Sequence, residues 1–198
     1  KVSINYRSVA DLNADIKRNL WRVPGDVNLI VGIPRSGMLP ATLIALYKNL
    51  PLTDLESLMR GEVYANGLSR SDERVSQADF LIPLVVDDSI FTGQQLNAVR
   101  KRISEMPLRV SHVYFCAIYA TKESAPMVDL NFSLVEQPRV FEWHLLNRKD
   151  NTRFATDFDG VLCRDPTTEE NDNGKNYNSF LHSTELQFRP LHKLGLIV

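Results

Sequence analysis

Two adjacent carboxylates, Asp87 and Asp88, sit in the stretch PLVVDDSIFTGQQL over 83–96. Two hydroxyls, Ser89 and Thr92, and a glycine, Gly93, follow closely, with Ile90 and Phe91 between them. Neighbouring carboxylates can accept hydrogen bonds from sugar hydroxyls or sit near a metal. Hydroxyls and glycine in a short loop offer donors to an anion, and a helix opening at Gln94 adds the positive end of its dipole. Gly93 lets the backbone approach closely. The carboxylates would repel a phosphate, so the two halves of the stretch suit different parts of one ligand, a phosphorylated sugar. A plain helix cap needs only one Asp, Ser or Thr, so a structural turn accounts poorly for the whole set.

Such residues need a strand before them and a helix after them. Leu81 to Val86, apolar and β-branched apart from Pro83, predicts a buried strand. Leu96, Val99 and Ile103 give the following helix an apolar stripe. A second unit of the same kind lies upstream. Val27 to Val31 predicts a strand, Gly32-Ile33-Pro34-Arg35-Ser36-Gly37 a loop, and Leu39, Leu43, Ala45 and Leu46 the packing residues of a helix. Two such units on a parallel sheet bring both loops to the carboxyl ends of strands, facing one crevice. Arg35 can pair with anionic oxygens there.

The 83–96 stretch closely resembles the phosphoribosyl pyrophosphate (PRPP) signature of the type I phosphoribosyltransferases. The resemblance implies an α/β fold: a mostly parallel twisted sheet with helices on both faces, plus a hood. It implies that Asp87 and Asp88 hold the ribose hydroxyls, near Mg²⁺, and that Ser89, Ile90, Phe91, Thr92 and Gly93 hold the 5-phosphate. Ile33, Pro34, Arg35, Ser36 and Gly37 resemble the family's pyrophosphate loop. The polar stretch from Arg60 to Phe80 holds no helical or strand period. The family has a closing hood loop there, which makes Arg70 and Arg74 candidates to reach the pyrophosphate. Lys122 is a candidate for contact with an acceptor base. Phe141 or Trp143 could stack on an acceptor ring, although the simpler reading is that both close the core.

The remaining chain predicts scaffold. Ser8 and Asp11 suggest a capping box for a helix whose stripe is Val9, Leu12, Ile16 and Leu20, extended by Trp21. Pro24-Gly25-Asp26 ends it. Leu52 to Leu58 predicts a strand or strand–helix edge, and 110–119, 128–135 and 140–143 predict strands. Residues 145–152 read as a boundary, giving domains over 1–147 and 148–198. After it comes Asp157-Phe158-Asp159-Gly160-Val161-Leu162. DFDGVL resembles motif I of the haloacid dehalogenase (HAD) superfamily. That resemblance implies Asp157 as nucleophile and Mg²⁺ ligand, and Asp159 as acid–base and metal-binding partner. Gly195 to Val198 reads as the next strand of such a segment. The family's later Thr or Ser, Lys and second acidic pair are missing, so no efficient phosphatase is expected from this chain alone.

Lys and Arg number 23 against 24 Asp and Glu, a net charge of -1, which argues against a nucleic-acid surface. Two cysteines, Cys116 and Cys163, suggest neither a disulfide framework nor a zinc site, and a reduced cytoplasmic setting is expected. No apolar run is long enough to span a membrane, and a homodimer is among the assemblies allowed. The leading expectation is an enzyme: Mg²⁺-dependent transfer of ribosyl 5-phosphate from PRPP to an unidentified acceptor. Domain order suggests HAD removal of that phosphate in a longer protein, hence a glycan or lipid-linked acceptor. Nucleobase salvage is the plainer alternative. A PRPP-sensing regulator, and a phosphatase whose first domain only binds ligand, are alternatives of other classes.

Overall fold

The computed structural model describes residues 3–64, 80–106, 110–145, 155–187 and 195–197. Arg70 and Arg74 lie outside the described residues. The chain divides into two compact units, Lys1–Trp143 and His144–Val198.

The first unit is built on five parallel strands: β2 (Leu29–Gly32), β3 (Leu52–Asp54), β4 (Pro83–Ser89), β5 (Tyr114–Ala120) and β6 (Leu130–Leu134). Their order across the sheet is β3-β2-β4-β5-β6. Side chains alternate between the faces of a strand, and the core divides accordingly. Ile30, Leu84, Val86, Cys116 and Ile118 pack with Leu12 and Ile16 of α1 (Val9–Asn19) and Ala41 and Ile44 of α2 (Met38–Lys48). Leu29, Val31, Val85, Phe115 and Ala117 pack with Leu55 and Leu58 of α3 (Leu55–Met59) and Leu96, Val99 and Ile103 of α4 (Gln94–Ser104). Each fully buried Leu or Ile in these layers contributes about 1.5–3 kcal/mol.

Ser8 and Asp11 form the expected capping box on α1. Trp21, expected to extend the α1 stripe, is instead 82% exposed. The helix tightens into a 3-10 turn at Leu20–Arg22, which breaks the 3.6-residue period and carries the indole off the packing face. β4 runs three residues past Val86, because Asp87 and Ser89 pair in register with Ala117 and Tyr119 of β5. β5 starts only at Tyr114; among residues 110–113, Val110 makes an isolated bridge to Leu81. A further parallel pair joins β1 (Asn5–Arg7) to β7 (Arg139–Phe141).

In the second unit, β8 (Ala155–Asp157) and β9 (Gly195–Ile197) pair in parallel. α5 (Lys175–Ser183) lies between them in sequence. Cys116 and Cys163 are both buried and free. Among the described residues no helix is long and apolar enough to cross a membrane.

Candidate active site

Because all five strands of the main sheet are parallel, the loops after β2 and β4 emerge at the same edge. β2 and β4 are neighbours, and the strand order reverses between them. A crevice at that reversal is where open α/β sheets bind ligands.

The helices that follow β2 and β4 start differently from α1 and α3. α1 and α3 are capped by their own side chains: Ser8 Oγ accepts from the Asp11 N–H, and Asp54 Oδ1 from the Ser57 N–H at 2.9 Å. α2 and α4 begin after Gly37 and Gly93, which have no side chain to cap them. In α2 the first N–H groups are taken, Met38 and Leu39 donating to the Arg35 and Ser36 carbonyls at 3.3 and 3.2 Å and Pro40 having none, whereas Gln94, Gln95 and Leu96 of α4 line a cleft where their N–H groups can meet an anion. Gly37 has no substitute: a Cβ there would lie 2.6 Å from both the Ile33 and Val86 carbonyl oxygens. Gly93 has φ +73°, in the left-handed region, and a Cβ would lie 2.9 Å from Met127 Sδ.

In the β2 loop, the Ile33 N–H donates to the Val86 carbonyl at 2.9 Å, tying the loop to β4. Pro34 and Arg35 are exposed, and the peptide bond between them is cis. At the end of β4, Asp88 is 2% exposed, and its Oδ2 accepts from the Trp143 indole N–H at 2.9 Å. Asp87 Oδ1 accepts from the Asp88 N–H at 2.9 Å. Burial, reinforced by the Asp88 charge, raises the Asp87 carboxyl to about 8. A cleft of about 160 Å³ opens here, lined among others by Ile33, Asp87, Ser89, Thr92, Gly93 and Arg139.

The structure thus brings the β2 loop, Asp87 and the 89–93 loop to one cleft edge. Lys122 is exposed just after β5, and its backbone N–H donates to Glu136 Oε1 at 2.9 Å. Phe141 is buried and stacks on Tyr119 and on Trp143, ring centroids 5.1 Å apart in each case. Two residues escaped the sequence reading. Arg139, only 8% exposed, donates from Nη2 to the Ile90 carbonyl at 2.8 Å, and Ser124 Oγ donates to the same oxygen at 3.1 Å. The available signal was Arg139 alternating with Phe141 and Trp143, an arginine on an aromatic face.

The second acidic motif is built differently. Asp157 ends β8 and is exposed. Asp159 Oδ2 accepts from the Tyr177 hydroxyl at 2.5 Å, while its Oδ1 is buried without a hydrogen-bond partner among the described residues. Gly160 has φ +65° and faces Asp165. Among the described residues no group of three or more His, Cys, Asp or Glu side chains is arranged to hold a metal ion.

Comparison with known proteins places this geometry. Over 72% of its length the chain superposes on 95% of the Helicobacter pylori xanthine-guanine-hypoxanthine phosphoribosyltransferase, with TM-score 0.53 and 16% identity. Over 70% it superposes on 92% of the purine phosphoribosyltransferase from Pyrococcus horikoshii, with TM-score 0.51 and 17% identity. The chain has the type I phosphoribosyltransferase fold. In sequence it is 32% identical over 115 residues to the xanthine-guanine phosphoribosyltransferase of Chromohalobacter salexigens, covering 58% of this chain and 66% of that protein. It is 25% identical over 153 residues to the enzyme of the same name from Roseobacter denitrificans, covering 68% and 81%. No protein-family model matches the chain.

These findings correct two expectations. All four proteins are named for purine bases, which overturns the glycan or lipid-linked acceptor in favour of a nucleobase. None is a haloacid dehalogenase, so the phosphatase reading of 148–198 gains no support from them.

Proposed function

We propose that this chain is a purine phosphoribosyltransferase. It breaks the bond between C1 of PRPP and the pyrophosphate oxygen, forms a bond from C1 to a ring nitrogen of the base, and releases pyrophosphate and the proton of that nitrogen. The observation that carries this reading is the convergence of Ile33 of the β2 loop, Asp87, the 89–93 loop and the glycine-started α4 on one cleft at the strand-order reversal. The sequence relatives named for xanthine and guanine support a 6-oxopurine acceptor.

In this reading the residues divide the ligand. Asp87 and Asp88 accept hydrogen bonds from the ribose hydroxyls, and the loop Ser89 to Gly93, through the N–H groups of Phe91, Thr92 and Gly93 and the Ser89 and Thr92 hydroxyls, binds the 5-phosphate together with the first turn of α4. The loop Ile33 to Gly37 binds the pyrophosphate through backbone N–H groups, with Arg35 neutralising its charge. The chain's contribution to the rate is then mainly orientation and stabilisation of the leaving group. The carboxylates of Asp87 and Asp88 and the ligand's own phosphate oxygens are the hard donors Mg²⁺ takes, and a magnesium ion commonly uses one or two carboxylates plus substrate oxygens. When bound there it would offset the charge of the departing pyrophosphate. Lys122 remains a proposed acceptor contact at the same edge.

The test is pyrophosphate release from Mg²⁺–PRPP with xanthine, guanine, hypoxanthine, adenine and uracil. Turnover with the oxopurines well above adenine and uracil is expected. Tight PRPP binding without pyrophosphate release on any base would replace the enzyme with a PRPP-sensing protein.

A further inference from the structure

Arg139, Phe141 and Trp143 follow one another at every second residue along β7 and the 3-10 turn Glu142–His144. Alternation puts such residues on one side of a strand, and their contacts agree. Arg139 reaches the Ile90 carbonyl at 2.8 Å, Phe141 stacks on Tyr119, and the Trp143 indole N–H meets Asp88 Oδ2 at 2.9 Å. Glu142, between them, is exposed and accepts from the Val9 N–H at 2.6 Å. One short segment therefore touches the candidate site twice, at the first turn of the 89–93 loop and at the inner carboxylate.

Both contacts have a geometric consequence. The C=O and N–H of a trans peptide point in opposite directions. Arg139 and Ser124 together hold the Ile90 carbonyl, while the Ile90 N–H is held by the Tyr119 carbonyl at 2.9 Å. The Phe91 N–H is thereby turned to the opposite side from Arg139. Asp88 has two oxygens with about four acceptor positions, and an indole N–H can only donate. The Trp143 bond fixes the orientation of the Asp88 carboxylate at the end of β4. The stack of Trp143 on Phe141, 10° from parallel, holds the indole in place for this.

We infer that Arg139–Trp143 is a positioning strap for the sugar-phosphate site, in which Arg139 sets the 89–93 loop through the Ile90 carbonyl and Trp143 sets the Asp88 carboxylate. The inference rests on the proposed PRPP chemistry and changes one role: Trp143 serves the ribosyl donor rather than stacking on the acceptor.

The decisive variant is Trp143→Phe, which keeps an aromatic ring beside Phe141 and removes the N–H together with part of the indole. PRPP affinity with Mg²⁺ is read by calorimetry, and KM for the purine by pyrophosphate release. The expected result is a rise of about tenfold in the PRPP Kd, the size of a lost hydrogen bond to a charged group, with the purine KM unchanged. Arg139→Met should weaken PRPP binding similarly. Arg139→Lys should recover part of the loss, since an ammonium still donates to a carbonyl, whereas a purely space-filling role would predict no such rescue. PRPP binding by Trp143→Phe equal to the parent's, or a raised purine KM instead, would overturn the inference while leaving the proposed function intact. Failure of the parent chain to bind PRPP would fell the proposed function and the strap with it.

Discussion

The molecule carries two acidic motifs at the ends of parallel strands, and their surroundings set them apart. Asp87 and Asp88 lie within the last three residues of a seven-residue strand at the centre of a five-stranded sheet, between two neighbours that fix its register. Asp157 ends a three-residue strand in a two-stranded sheet. Around the first pair the structure gathers the glycine-started α4, a cleft and a tryptophan donor. At the second, Asp159 accepts from the Tyr177 hydroxyl, and its other oxygen has no hydrogen-bond partner among the described residues. A motif predicts chemistry only when the surrounding elements bring other groups to it.

The sharpest way to break this comparison is to neutralise each pair in turn. Asp87→Asn/Asp88→Asn should lower purine phosphoribosyl transfer by at least about a hundredfold, as expected when binding contacts realised at the reacting sugar are lost. Asp157→Asn/Asp159→Asn should leave transfer within about twofold of the parent, because no contact on which the transfer reading depends involves them. A matching loss in the second variant would make the second unit part of the transferase.

The glycines give a smaller and more local contrast. An alanine Cβ at Gly37 would lie 2.6 Å from two backbone carbonyls, which cannot swing aside. One at Gly160 would meet the end of the Asp165 side chain, also at 2.6 Å, which can rotate away. Gly37→Ala should therefore cost about 2 kcal/mol or more of stability and weaken pyrophosphate binding. Gly160→Ala should cost about 1 kcal/mol from its positive φ alone. Urea denaturation of both variants checks the order, and a costlier Gly160→Ala would show the second turn to be the more rigidly built.

The layered core was legible because alternation and helical stripes are local patterns. Leu12 and Ile16, or Leu96, Val99 and Ile103, announce buried faces without knowing what covers them. The two loops were legible because glycine, hydroxyl and carboxylate types are rare in that combination. The tethers were not. Arg139 meets Ile90 across 49 positions and Trp143 meets Asp88 across 55, separations that no window of sequence spans. The β1–β7 pair is three residues on each side, too short for periodicity to register. The extent of β4 was underestimated because aspartate disfavours strands in general, whereas pairing with Ala117 and Tyr119 decides the matter here.

The finest contrast between the two regions is in their response to pH. Burial and the Asp88 charge raise the folded Asp87 carboxyl to about 8, far above an unfolded carboxylate. Between those values the folded chain holds a proton that the unfolded chain has released, so stability falls as pH rises from the carboxylate range to about 8 and levels off beyond it. In the second unit, hydrogen bonds from the Arg164 side chain and the Thr167 N–H hold Glu170 at about 2. Its contribution is present at neutral pH and is lost as pH falls through the carboxylate range towards 2. Asp87→Asn removes the first slope and not the second. In melting curves across pH, the variant should gain on the parent towards pH 8.5, and the gap should close towards pH 4. PRPP with Mg²⁺ selects the ionised carboxylate in the proposed reading, so it should bind the parent more tightly as pH rises through the same window, releasing a proton. Calorimetry in two buffers of different ionisation enthalpy measures that proton. Its absence would mean that Asp87 is already ionised in the free chain or does not meet the ligand, and the persistence of the alkaline slope in Asp87→Asn would place the titrating group elsewhere.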